Sequence, residues 1–203
     1  MTFYIVIITI AVSIWAFKSG DVMGKLIFNA YTVNRKNEWY RFITCGFVHA
    51  DWMHLIINML VLYSFGSQVE QAYDYYFEAK STYYFLLLYF GGIILSILPT
   101  YVNQKDSPGY HSLGASGGVS SVVFASIIFN PVQKIYLYGV LGLPGILMGV
   151  AYLIYSFYMN KKGGDNVNHN AHFWGAIFGI VYTLALRPGL FIHFIEQMSH
   201  FSL

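Results

Sequence analysis

Residues 113–120, Leu-Gly-Ala-Ser-Gly-Gly-Val-Ser, open an apolar run that continues SVVFASIIF to Phe129. A run of this length and hydrophobicity belongs in hydrocarbon, yet it starts with a serine set among glycines. The whole chain shares its apolar character: 57% of the 203 residues are hydrophobic and only 10% are charged, a composition rare in soluble domains. Crossing about 30 Å of hydrocarbon takes roughly 17 to 25 apolar residues in a helix. Windows of that kind fall near 2–17, 52–69, 82–100, 114–130, 144–159 and 171–187, each nearly free of Asp, Glu, Lys and Arg. Turn formers such as Asn130-Pro131 and Gly163-Gly164 separate them. The expectation is a single domain over 1–203, an all-α membrane protein built as a six-helix bundle, with no soluble module.

The first window lacks a basic leader and a small-residue cleavage pattern, so it reads as a retained helix. Segment 18–50 is too long for a turn and carries Trp39, Phe42 and Phe47 among charges, which predicts a partly buried interfacial structure. In the tail 188–203, Phe191, Phe194, Ile195 and Met198 recur at helical spacing, the pattern of a short helix lying on the membrane. Tyrosines cluster near span ends, at Tyr73, Tyr75, Tyr76, Tyr83 and Tyr84, where their rings suit the headgroup layer. Cys45 is the single cysteine and has no internal partner, and a net charge of +2 argues for no nucleic-acid partner.

An unsatisfied polar group in hydrocarbon costs several kcal/mol, so polar residues inside apolar spans need a reason. Four stand out: His54, Asn58, Ser116 and His172. His54 and Asn58 are four apart and share a helix face, and both can donate hydrogen bonds. His172 heads the last span on one stripe with Gly175 and Gly179, and such glycines admit a close neighbour. If that stripe meets Gly114, Gly117 and Gly118, Ser116 comes within reach of His172. A serine hydroxyl is a poor nucleophile until an imidazole accepts its proton, and a histidine near its ordinary pKa of about 6.5 suits that task. Ser116 would also sit in a first helical turn, where the N–H groups near Ala115 and Ser116 lack intrahelical acceptors. With donors from His54 and Asn58 they would form an oxyanion hole.

Each feature taken singly has a plainer reading. Glycines around a serine often only pack helices, and His54 with Asn58 often only bridges two helices. His172, three residues after His169, fits an interfacial residue or a weak metal ligand as well. There is no HExxH and no recognisable zinc set, so no metal or other cofactor is expected. An inverted repeat or charged midplane site, the marks of a small transporter, is likewise not visible.

Together these residues resemble the rhomboid intramembrane serine proteases. The family's GxSG is matched by Gly114-Ala115-Ser116-Gly117, its HxxxxHxxxN by His49, His54 and Asn58, and its AHxxGxxxG by Ala171, His172, Gly175 and Gly179. Glu38-Trp39-Tyr40-Arg41-Phe42 is similar to the family's first-loop E-x-W-R element, and Glu70 falls where the family often has a helix-end glutamate. The resemblance implies the rhomboid-type six-helix fold, with Ser116 as nucleophile and His172 as base in a dyad that needs no acid. Asp165, in a Gly-rich loop, stays out of the site. His54, Asn58 and the Ala115 and Ser116 amides would hold the oxyanion, while His49, Arg41, Glu70, Gly114, Gly117, Gly175 and Gly179 would be structural. The implied substrates are transmembrane proteins cut near the bilayer surface, with the lipid bilayer as the other partner. The implied setting is a multi-pass protein of a bacterial-type plasma membrane. A non-catalytic relative that binds membrane proteins or serves quality control is the rival reading.

Two departures from the family pattern matter. The aromatic that often stacks on the catalytic imidazole, four residues after the nucleophile, is Ser120 here, so Phe173, Trp174 or Phe124 is expected to hold the His172 ring. The usual Trp-Arg pair is Tyr40-Arg41. Polar residues 161–170 are expected to form a mobile cap that admits water and substrate. Counting Lys and Arg by loop puts eight on the side of the site and three on the other, which by the positive-inside rule makes the site's side cytoplasmic. The family arrangement implies the reverse.

Overall fold

The structure is a computed structural model and describes residues 1–137, 141–164 and 167–200. It is almost entirely helical. Helix α1 (Thr2–Lys18) is followed by three short helices, α2 (Gly20–Leu26), α3 (Ala30–Lys36) and α4 (Arg41–Thr44). Next come α5 (Trp52–Phe77), α6 (Ser81–Gln104) and α7 (Ser116–Phe129). Strands β1 (Lys134–Leu137) and β2 (Leu141–Pro144) precede α8 (Gly145–Lys162), α9 (His169–Leu186) and α10 (Gly189–Ser199).

The segment between α1 and α5 is folded. Ser19 caps α2 by accepting from Val22 N, and Asn29 caps α3 by accepting from Thr32 N at 2.7 Å. Asn37, at φ 58° in the left-handed region that Asn tolerates, ends α3. Arg41 is 7% exposed and closes the segment on itself, donating to the carbonyls of Gly24 (2.8 Å) and Ile27 (2.6 Å) and to Glu38 Oε2 (2.6 Å). That contact holds the Glu38 carboxyl below its usual range. Phe42 packs between Phe28 and Tyr101, with Trp39 stacked at 5.9 Å.

Helix α5 runs eight residues beyond the expected span end at 69, because nothing in 70–77 breaks a helix. The break comes at Glu78, at φ 48°. Glu70 therefore lies well inside α5 rather than at its end, where it accepts from the Thr2 amide at 3.1 Å and ties the start of α1 to α5. Helix α6 then returns alongside, bringing Ile93 against Gly46 and Tyr101 against Trp39.

Helix α7 is the centre of the bundle: from Gly117 to Ile128 every residue but Val123 is buried. Its small residues let neighbours approach to backbone distance. A Cβ on Gly118 would lie 2.8 Å from Tyr89 O of α6, and one on Gly149 of α8 would lie 3.0 Å from Ile127.

A helix occupies each expected span, but they differ in length. The stretch Trp52–Gln104 contains helix long and apolar enough to cross a membrane, and α9 with α10 passes the same test only as a pair bent by 112°. Helices α1 and α7 are apolar and shorter. The bend follows Pro188 at the end of α9, and α10 presents exposed Phe191, Ile192 and Ile195 while Gln197 donates to Phe129 O. The antiparallel β1–β2 pairing, Lys134 opposite Pro144, was not foreseen, because an apolar run of this length reads equally well as loop, strand or helix start.

Candidate active site

The residues just before Ser116 are held by the segment between α1 and α5. Phe28 and Ser112 exchange backbone hydrogen bonds (2.9 and 3.0 Å), and Gly114 N donates to Cys45 O at 2.9 Å. Gly114 sits at φ +116°, and a Cβ there would lie 2.7 Å from the His54 ring, so glycine is required twice over. Ala115 N donates to His49 Nε2 at 3.3 Å. With Nε2 accepting, the ring proton sits on Nδ1, which meets Ser13 Oγ at 3.0 Å while that hydroxyl donates to Phe47 O. Burial, aided by nearby His54, pushes His49 down to about 3, in keeping with this neutral tautomer.

His49 precedes α5 and ties α1 to the approach to α7. One expectation is corrected: the Ala115 amide, expected at the oxyanion, is occupied by His49. The amide of Ser116 opens α7 (N-cap Ala115), in the first turn, where amides have no acceptor within the helix.

His54 and Asn58 occupy one face of α5, which Asp51 caps by accepting from His54 N at 2.8 Å. Asn58 is buried and uses one N–H on His54 O at 2.9 Å, keeping the second for another acceptor. His172 lies in the first turn of α9, whose cap is Asn168, accepting from Ala171 N at 3.1 Å. Asn168 also donates to Ser112 Oγ at 3.0 Å and to Thr100 Oγ1 at 3.2 Å. The residue four before His172 is thus clipped to the residue four before Ser116. Below the clip the helices touch: a Cβ on Gly175 would strike the Gly117 backbone, and one on Gly179 the backbone of Ser121.

Ser116, His172, His54 and Asn58 all line one cavity of about 1180 Å³ between α5, α7 and α8. Its wall continues down apolar side chains, among them Ile57, Val61, Val123 and Phe124. Asp165 lies outside the described residues. Of the expected polar cap, Lys161 and Lys162 end α8 and His169 and Asn170 begin α9, so the connection is shorter than foreseen.

Among the described residues two rings lie near His172, His169 edge-on at 5.8 Å and Tyr152 nearly parallel, and neither is one of the three expected. Phe173 lies against Phe157, Trp174 is 42% exposed, and Phe124 faces Tyr152. Tyr152 of α8 stands beside the imidazole, centroids 6.1 Å apart and planes 16° from parallel. Its hydroxyl meets Ser120 Oγ at 2.7 Å. The signal was present in the sequence: Gly145, Gly149 and Ser156 mark the buried stripe of α8, and Tyr152 falls on it at helical spacing.

A family model described as Rhomboid domain matches residues 36–189. The chain is similar to RHOMBOID-like protein 12, mitochondrial, of Arabidopsis thaliana, at 25% identity over 77% of this chain and 49% of that protein. It is also similar to the putative rhomboid protease YdcA of Bacillus subtilis, at 27% identity over 72% of this chain and 66% of that protein. For rhomboid protease AarA of Providencia stuartii the figures are 26%, 77% and 59%. The chain thus spans from about half to two thirds of the length of these relatives. Because their names place relatives in mitochondria and chloroplasts as well as in bacteria, they give no support to the expected bacterial plasma membrane.

Proposed function

The chain belongs to the rhomboid family of integral membrane proteins, and on that premise we propose that it is an intramembrane serine endopeptidase that cuts transmembrane proteins. The observation that carries this reading is the shared cavity: a serine opening α7 and a histidine opening α9 line the same space, below loops clipped together by Asn168 and above a glycine crossing.

In this reading α1, α5, α6, α7, α8 and α9 are the six spans and α10 lies at the interface. Helix α7 has 14 residues and spans about 21 Å, short of the roughly 30 Å of hydrocarbon, so Ser116 sits below one membrane surface. His172 takes the hydroxyl proton as Ser116 Oγ attacks the scissile carbonyl, then delivers it to the leaving amine. The oxyanion is held by the Ser116 amide, the spare Asn58 N–H and the His54 ring. Water entering through the polar mouth beside Asn168 and Tyr110 hydrolyses the acyl-enzyme, with His172 again the base.

Cleavage of a model transmembrane substrate in liposomes tests the reading. Ser116→Ala and His172→Ala are each expected to abolish it, and a fluorophosphonate is expected to label the unsubstituted protein at Ser116 alone. Cleavage that survives either substitution rules the dyad out. A non-catalytic binding factor would show neither cleavage nor labelling.

A further inference from the structure

Within the dyad reading of Ser116 and His172, we infer that Tyr152 is the positioning residue for the His172 base, so that the base is set only while α8 is seated on α7.

Three observations carry this. First, the Tyr152 ring stands offset beside the imidazole and nearly parallel to it, centroids 6.1 Å apart and planes at 16°, while His169 of α9 meets the same imidazole edge-on at 5.8 Å. Offset or parallel ring contacts with centroids within about 7 Å favour one relative orientation. Second, Tyr152 is itself anchored, since its hydroxyl and Ser120 Oγ share a hydrogen bond of 2.7 Å. Ser120 stands on α7 one turn beyond Ser116, so the helix that presents the nucleophile also fixes the ring that faces the base. Third, the tyrosine belongs to α8, a different helix from both dyad members. Its seat depends on Gly149, one turn earlier on the same stripe, where α8 touches Ile127 and Phe124 of α7. Sliding α8 off α7 removes ring, hydrogen bond and cavity wall together. A ring carried by α7 itself would be indifferent to where α8 stands.

The inference therefore makes α8 docking a condition for catalysis and not only for enclosing substrate. Tyr152→Met keeps an apolar filler of adaptable shape but removes the ring. It is expected to lower kcat about 10- to 100-fold with KM changed less than about threefold, and to slow fluorophosphonate labelling of Ser116 in parallel. Tyr152→Phe keeps the ring and loses only the hydrogen bond, as does Ser120→Ala. Each is expected to cost about two- to fivefold in kcat, and the double variant no more than either alone, because one bond is removed in all three. Gly149→Leu, which pushes α8 away from α7 without touching the ring, is expected to reproduce the loss of kcat.

If Tyr152→Met labels and turns over as fast as the unsubstituted protein, or if its defect lies in KM alone, the inference is overturned while the dyad stands. If Tyr152→Met does not accumulate as folded protein, Tyr152→Phe, Ser120→Ala and their double variant decide: additive losses overturn the inference and non-additive ones support it. Absence of any labelling at Ser116 in the unsubstituted protein overturns the dyad and this inference together.

Discussion

Gly175 of α9 lies directly on the backbone of Gly117 of α7, so closely that a Cβ at 175 would collide with the Gly117 carbonyl and sit 3.0 Å from its Cα. This crossing is next to Ser116 in the chain and one turn from His172, and it sets the separation between the two helices that carry them.

Gly175→Ala is therefore expected to cost more than a methyl group normally would, because the obstacle is backbone and cannot rotate away. Overpacking of this kind costs roughly 1–3 kcal/mol. Thermal unfolding in detergent should show the loss, and, if Ser116 and His172 are the proposed dyad, cleavage activity should fall further than stability does, since the separation would then enter the proton transfer directly. A variant as stable and active as the unsubstituted protein would mean that the crossing has more slack than the geometry indicates.

Asn58→Ala and His54→Ala are expected to lower kcat about 100-fold each while KM stays close to its original value, the usual effect of losing an oxyanion donor. Steady-state cleavage in liposomes distinguishes the roles. A change confined to KM would make these side chains substrate contacts.

His49 is held neutral in the fold, down to about 3, against an ordinary 6.5 in the unfolded chain. Between those values the unfolded chain binds a proton that the folded one refuses, so stability rises with pH. The contribution is complete above 6.5 and is lost as pH falls through the window toward 3. Unfolding midpoints measured from pH 7.5 down to 4.5 should decline in the unsubstituted protein. In His49→Gln they should start lower and decline less, and equal slopes in the two proteins would remove His49 as the cause.

Arg41→Lys is expected to loosen the approach to Ser116 without touching the site. An ammonium cannot serve Gly24 O, Ile27 O and Glu38 together as the guanidinium does, and a buried carbonyl left unpaired costs roughly 1–3 kcal/mol. Hydrogen exchange at the Phe28 and Ser112 amides, which pair across this segment, should accelerate, with activity falling less than about tenfold. Protection equal to the unsubstituted protein would show that Arg41 is dispensable to the pairing.

Local pattern made much of this legible. Apolar windows located every long helix to within a few residues except at the end of α5, where the charge of Glu70 ended the hydrophobic window but not the helix. Helical spacing placed His54 with Asn58 and His172 with Gly175 and Gly179. The β1–β2 pairing escaped because period alone does not separate a short apolar strand from the start of a helix.

The sequence by itself determined that this is an apolar helical chain of the rhomboid family and which polar side chains its apolar helices carry, because hydropathy, helical period and short motifs are local properties. Only the tertiary structure decided that the Ala115 amide goes to His49, that Asn168 clips the two site loops together, and that Tyr152 of α8 stands parallel to His172. Those are contacts between helices distant in the chain, fixed by which small residues let which backbones meet, and no window along the sequence contains both partners.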